Sequence, residues 1–90
     1  MDRRTQLLTT WGATENQASR ITAEIDDGLL EYIHESLLVA FNNPANQEKF
    51  MRMKNSNSPF NGTTPLEYLA KYPEQARQVA GHILALGMPW

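Results

Sequence analysis

The sequence predicts an all-α fold, a single small domain of about five to six helices. Three observations predict it. Apolar residues recur at three- and four-residue steps over most of the chain, as they do on one face of a helix. Capping residues precede several of these segments, and no window alternates apolar and polar residues over the length of a strand. Ninety residues can fill only one hydrophobic core.

Two helices are expected in the N-terminal part of the chain. A first helix over residues 5–11 is interrupted by Gly12. Thr14 caps a second helix, with Gln17 as its capping-box partner three residues later. The run Asp26-Asp27-Gly28 is a turn signal, in which a carboxylate is expected to cap the next helix and the glycine to adopt a left-handed conformation.

The central helix is expected over residues 29–41, where the longest apolar stripe occurs. This stripe consists of Leu30, Ile33, Leu37, Ala40 and Phe41. Asn43 and Pro44 then predict a helix over residues 44–53, because Asn is a favoured N-cap and Pro suits the first helical position.

Residues 54–63 are rich in Asn, Ser, Pro and Gly, so they predict the one long loop. Thr64-Pro65-Leu66-Glu67 combines a cap, an N-terminal proline and a capping-box glutamate, which together start the next helix. That helix should end at Tyr72, because Pro73 disfavours a helical conformation in the residue before it. Pro73 starts the last helix, and Gly87 is expected to end it in a left-handed conformation.

The charge and composition exclude several function classes. Eight Lys and Arg residues against ten Asp and Glu give a net charge of −2, which provides no overall attraction for nucleic acid or anionic lipid. Without cysteine the chain has no disulfide, thiolate zinc site or cysteine nucleophile. No apolar run approaches the roughly 20 residues of a membrane span, and none suits a signal peptide. We therefore expect a cytoplasmic protein with no membrane contact.

The candidate catalytic residues do not form a recognisable site. Glu31 and His34 have the Glu-x-x-His spacing of di-iron helix bundles, but such sites need a second copy of the motif, and Val79 stands three residues before His82. The five glycines are dispersed, so no phosphate-binding loop is present. We expect no enzyme, with no catalytic residues, no metal and no cofactor.

Three features leave two interpretations open. A local basic cluster is either solvated or faces a phosphate or an acidic partner; it comprises Lys49, Arg52 and Lys54. A second group belongs either to the core or to an adaptable binding surface; it comprises Phe50, Met51 and Met53. Trp90, two residues beyond the expected helix stop, either folds back onto the domain or docks onto a partner.

Five segments, in this order and spacing, resemble a known family. They are Phe41-Asn42-Asn43-Pro44, Phe50-Met51-Arg52-Met53, the loop from Asn55 to Gly62, Thr64-Pro65-Leu66-Glu67, and Trp90. Together they resemble the toxin-binding domain of the Xre/MbcA/ParS antitoxins over residues 29–90. The resemblance implies the antitoxin of a type II toxin–antitoxin system, which binds and neutralises a RES-domain toxin that acts on NAD or related nucleotides.

The resemblance also implies a division of the chain and a binding surface. Residues 1–28 would be an N-terminal helical segment, the remnant of a helix-turn-helix region, and residues 29–90 the toxin-binding domain. We expect the toxin to contact the C-terminal tail, in which Pro89 limits conformational freedom and Trp90 supplies an aromatic anchor. The loop is a second candidate surface. The expected toxin-binding residues are Gly87, Met88, Pro89 and Trp90 in the tail, and Phe60, Asn61 and Gly62 in the loop.

The alternative is a small transcription regulator that binds its own promoter as a dimer. A recognition helix presents basic or amide side chains to the major groove. Only residues 23–28 stand where this helix and its lead-in would lie, and the stretch is acidic. The sequence therefore argues against operator binding. A homodimer is expected under either interpretation.

Overall fold

The computed structural model describes residues 3–57 and 59–87, and these residues form a small helical domain. The helices are α1 (Arg3–Thr10), α2 (Glu15–Glu24), α3 (Asp27–Ala40), α4 (Pro44–Arg52), α5 (Pro65–Lys71) and α6 (Ala76–Gly87), with a 3₁₀ turn at Pro73–Gln75 before α6. Within this described part, the only β-type pairing is an isolated antiparallel bridge between Asn55 and Thr63. The prediction of an all-α domain with five to six helices is confirmed.

Both predicted capping boxes form. The Thr14 hydroxyl accepts the N–H of Gln17 at 3.1 Å, and the Gln17 side-chain oxygen accepts the N–H of Thr14 at 3.0 Å. Thr64 and Glu67 make the same reciprocal pair at the start of α5. Each box satisfies two backbone donors that have no partner within the helix. Because each box spans only four consecutive residues, these two helix starts could be predicted from the local sequence.

The prediction that Gly28 and Gly87 have left-handed backbone conformations is wrong. The Asp26 carboxylate accepts the N–H of Leu29 at 2.8 Å and so starts α3 at Asp27, which places Gly28 inside the first helical turn. Gly87 is the last residue of α6, and its φ also lies outside the left-handed region. Gly12, in the turn between α1 and α2, does have a left-handed backbone conformation, with φ of +84°.

The centre of the domain is the contact between α3 and α6, the most extensive pairing of helices in the fold. The two helices run parallel, because Gly87 lies against Ala40 while Arg77 shares a cleft with Leu29. Side chains from the stripe predicted for α3 and from α6 lie in this contact, and Leu30, Ile33, Leu37, Val79 and Ile83 are inaccessible to solvent.

The N-terminal helices belong to the same hydrophobic core. Five of its buried side chains come from residues 1–28: Leu7, Leu8, Trp11, Ile21 and Ile25. The Arg4 guanidinium donates to the carbonyl of Thr22 at 2.6 Å and contacts the Asp27 carboxylate at 2.8 Å, which joins α1 to the end of α2 and the start of α3. None of the described helices is both long enough and apolar enough to cross a membrane.

Candidate protein-binding surfaces

The expected tail site begins at a point where α6 touches the backbone of α3. A Cβ atom on Gly87 would lie 2.7 Å from the Cα of Ala40 and 2.7 Å from the carbonyl oxygen of Val39. Contacts this short between a Cβ and backbone atoms do not occur, so this packing requires glycine. The remaining expected tail residues, Met88, Pro89 and Trp90, lie outside the described residues. The last described residue is therefore held firmly beside the C-terminal end of α3.

Apolar side chains are exposed at the same end of the domain. Leu38, Val39 and Leu86 are 51%, 52% and 53% exposed. Leu38 and Val39 lie in the last turn of α3, and Leu86 immediately precedes Gly87. We call these three side chains and Gly87 the tail-end surface. Exposed aliphatic side chains near the ends of both helices make this end of the domain a candidate protein-binding surface.

The loop that was the second expected site has a buried anchor. Phe60 is only 1% exposed, and its ring packs edge-on against Phe50, Tyr68 and His82, with centroid distances of 6.1, 5.6 and 5.7 Å. Its side chain therefore holds the loop against the core and is not available to a partner. The accessible residues of this expected site are Asn61 and Gly62.

The tip of the loop has a defined shape. The N–H of Gly62 donates to the carbonyl of Asn55 at 2.7 Å, and Asn55 pairs with Thr63, so the two ends of the loop are joined. Asn61 and Gly62 both have left-handed backbone conformations, with φ of 51° and 94°. The loop borders a cleft of about 330 Å³, whose other lining residues include Glu67, Tyr68, Lys71 and Tyr72.

Helix α4 separates the aromatic and methionine residues whose role the sequence left open. Met51 is buried in the core, whereas Met53 is 52% exposed. Phe50 is partly buried and packs against Phe41, with ring centroids 5.2 Å apart. The helical period predicts this difference in burial. Met51 lies one turn after the buried Gln47, whereas Met53, three residues after Phe50, lies nearly on the opposite side of the helix from Met51.

Phe41, Phe50 and Met53 line a groove that the sequence analysis did not identify. Its volume is about 340 Å³, and its remaining lining residues are Asn46, Lys49, Lys54 and Asn55. The Gln47 side chain donates to the carbonyl of Phe41 at 2.9 Å and thereby fixes the position where α3 ends and the groove begins. We call this feature the α4 groove.

The three residues of the basic cluster also differ in their surroundings. Arg52 forms an ion pair with Glu48, one turn earlier in α4, at 3.3 Å. Lys49 and Lys54 form no ion pair within residues 3–57 and 59–87, and both line the α4 groove. The two lysines therefore give the rim of an apolar groove a positive charge.

Glu31, the acidic residue of the motif with metal-ligand spacing, forms an ion pair with Arg3. Glu31 accepts a hydrogen bond from the Arg3 guanidinium at 2.5 Å, and this bond lowers the pKa of the Glu31 carboxyl. The Nδ1 atom of His34 is buried without a hydrogen-bond partner in the described structure. Among the described residues, no three His, Asp or Glu side chains are grouped so as to hold a metal ion.

Comparison of the chain with protein-family models, with curated proteins and with solved structures found no match. The tail-end surface, the loop cleft and the α4 groove are therefore the features from which a function is inferred.

Proposed function

We propose that this chain is the antitoxin of a type II toxin–antitoxin system. It acts in the cytoplasm by binding a RES-domain toxin through protein contacts, without catalysis and without a cofactor. The observation that carries this proposal is the tail-end surface, an exposed apolar area at the position from which residues 88–90 continue. The resemblance of residues 29–90 to the toxin-binding domain of Xre/MbcA/ParS antitoxins supplies the class of partner.

The tail-end surface has the composition of an interface core. Each of Leu38, Val39 and Leu86 retains about half of its accessible area, so burying the rest contributes about 1 kcal/mol per side chain. None of the three carries a polar group that would lose hydrogen bonds to water on binding. A partner covering this end of the domain therefore gains free energy from area that the isolated domain leaves in contact with water.

Residues 88–90 extend this surface in the proposed complex. Pro89 has a restricted backbone, so less conformational entropy is lost when the segment is ordered by a partner. Trp90 offers a large aromatic group of the kind that dominates interface energetics. Gly87, held against the backbone of α3, gives the segment a fixed starting point. Asn61 and Gly62 form the second proposed contact.

The dimeric regulator remains the alternative, and α2 is the helix that bears on it. Arg20 is the only basic residue of α2, and its guanidinium donates to the carbonyl of Ala70 at 3.2 Å. Glu15 and Glu24 stand at the two ends of the same helix. Phosphate contacts depend on available Lys and Arg side chains, so the composition of this helix argues against DNA binding. A homodimer is part of the proposal in either case.

The proposal is tested by co-purification with the product of the neighbouring reading frame, which the proposal expects to be a RES-domain toxin. The expected result is a stable complex that elutes as one species in size-exclusion chromatography. Replacing Leu38 and Leu86 by Glu should abolish the complex, because two carboxylates would be buried in an apolar interface. Arg77→Gln with Gln78→Glu is the matched control, because it changes the net charge by the same amount at exposed positions of α6 more than two helical turns from Leu86.

The two possible failures of this experiment have different meanings. If the unaltered chain forms no complex with the toxin, the proposed function is wrong. If the doubly substituted chain still binds as well as the control, the function stands and the tail-end surface is not the interface.

A further inference from the structure

We propose that the α4 groove is a separate docking site for a short acidic peptide segment of a partner protein, one with a bulky apolar side chain flanked by carboxylates. This inference does not depend on the identity of the toxin. The groove uses none of the residues of the tail-end surface or of the loop tip, so the domain would have two independent binding surfaces.

The apolar floor of the groove is rigid on one side and adaptable on the other. The rings of Phe41 and Phe50 pack against each other, with centroids 5.2 Å apart. The Phe50 ring also packs against the buried Phe60 ring, at a centroid distance of 6.1 Å. Met53, half-exposed beyond the end of α4, has an unbranched thioether side chain that can adjust to different ligand shapes. The floor therefore fits an apolar side chain without requiring one exact shape.

The rim of the groove selects the charge of the ligand. Lys49 and Lys54 are its charged lining residues, and both are basic. The nearest acidic residue of the same helix, Glu48, is paired with Arg52. In a chain with a net charge of −2, this is a local reversal of sign that attracts carboxylates. Anchoring an apolar side chain brings flanking Asp or Glu side chains within reach of the two ammonium groups.

Two amide side chains can bind the backbone of an extended segment. Asn55 accepts the N–H of Asn57 through its side-chain oxygen at 2.9 Å, which leaves its amide donors without an acceptor in the described structure. Asn46 lines the groove on the side of α4. Amides carry both donors and acceptors, as a peptide backbone does, so these two residues suit an extended peptide.

The dimensions and charge disfavour other occupants. A volume of about 340 Å³ is at the low end of the range for binding pockets, which suits one or two side chains and not a whole helix. A second copy docked groove to groove about a two-fold axis would bring four lysines together. Single-stranded nucleic acid needs open ring faces for stacking, whereas Phe41 and Phe50 are tilted 37° and packed on each other.

The experiment is a selection from a displayed library of random short peptides on the immobilised full chain. We expect enrichment of sequences that place Asp or Glu on both sides of Leu, Ile, Phe or Trp. A synthetic peptide of an enriched sequence, added to the isotopically labelled chain, should shift the NMR resonances of Phe50, Met53 and Lys49 and leave those of Leu38 and Leu86 in place. No enrichment, or shifts confined to other surfaces, would overturn the proposal.

Paired substitutions test the role of charge. Lys49→Glu with Lys54→Glu should weaken binding of the acidic peptide by about ten-fold or more and should select basic peptides from the same library. Arg77→Glu combined with Gln78→Glu and Ser19→Glu changes the net charge by the same amount at exposed positions outside the groove and should leave the affinity unchanged. Equal losses in both variants would show a general charge effect and would contradict a groove site.

A third variant and one competitor complete the test. Met53→Ser removes apolar area at an exposed position, so it should weaken the peptide several-fold while the unfolding transition stays in place. A labelled single-stranded oligonucleotide is the competing probe. If it binds the groove residues more tightly than the acidic peptide does, the site is a nucleic-acid site and the peptide proposal is wrong.

Discussion

Gly87 and Ala40 lie in backbone contact: a Cβ atom on Gly87 would come within 2.7 Å of the Cα of Ala40. This contact is where the parallel helices α3 and α6 end together. It also determines where residues 88–90 begin relative to Leu38, Val39 and Leu86. The stability of the domain and the position of its proposed binding surface therefore depend on the same pair of residues.

Gly87→Ala should destabilise the domain, because the new methyl group meets backbone atoms that cannot rotate away. We expect a loss of about 1–3 kcal/mol in the free energy of unfolding, the usual range for overpacking. Gly81→Ala is the matched control, because Gly81 lies in the same helix and a Cβ atom there would meet nothing within 4 Å. That change should stabilise the domain by about 0.5–1 kcal/mol. Urea unfolding measures both, and equal effects would contradict the close packing.

Leu37 and Leu38 are neighbours in sequence with opposite roles. Leu37 is inaccessible and Leu38 is half-exposed, so Leu37→Ala should cost about 2–5 kcal/mol and Leu38→Ala less than about 1 kcal/mol. Thermal or urea unfolding of the two variants checks the difference. The order should reverse in a toxin-binding assay of folded protein, where Leu38→Ala is the damaging change. A loss below about 0.5 kcal/mol for Leu37→Ala would contradict the packing of α3 on α6.

The ion pair between Arg3 and Glu31 makes part of the stability depend on pH. The hydrogen bond from Arg3 lowers the pKa of Glu31, so the folded state binds this proton less readily than the unfolded state does. The stabilisation is present above the ordinary pKa of a glutamate and is lost as the pH falls through the lowered value. Arg3→Gln should raise the pKa of Glu31 towards its ordinary value and reduce the acid sensitivity of unfolding.

NMR titration of the Glu31 carboxyl carbon, with urea unfolding in mildly and strongly acidic buffer, tests this dependence. Arg77→Gln is the control and should leave the Glu31 titration unchanged. An identical Glu31 titration in Arg3→Gln and in the unaltered chain would show that the contact with Arg3 does not form in solution.

DNA binding by this chain should be weak and insensitive to sequence. Helix α2 carries a single basic side chain, Arg20, and this side chain is hydrogen-bonded to the carbonyl of Ala70. Gel shifts with the DNA upstream of the chain's own reading frame, compared with a shuffled sequence, check this expectation at physiological salt. Selective binding with a nanomolar dissociation constant would favour the transcription regulator instead.

The capped helix starts of this fold were predictable from the sequence, whereas the close backbone contact at Gly87 was not. The capping boxes at Thr14 and Thr64 each depend on residues within one helical turn, and both form. Gly87 looked like a helix stop because glycine often has that role, but here it is required by the approach of another helix. No local sequence pattern shows that Ala40 lies against Gly87, so this role of the glycine could not be predicted from the sequence.

The binding surfaces show the same limit. Phe60 stands alone in a polar loop, and its burial depends on rings from α4, α5 and α6. The opposite placement of Met51 and Met53 follows from helical geometry and was available from the sequence. The groove itself required the Phe41 ring, directly after α3, to pack against the Phe50 ring of α4, with centroids 5.2 Å apart.

The proposed neutralisation of a toxin is tested most directly by NAD consumption of a RES-domain protein, the proposed partner, with purified chain added in increasing amounts. We expect NAD consumption to fall to background near an equimolar ratio, and a chain ending at Gly87, which keeps every described helix, to inhibit far less. Undiminished NAD consumption in the presence of excess, folded, full-length chain would contradict the proposed function.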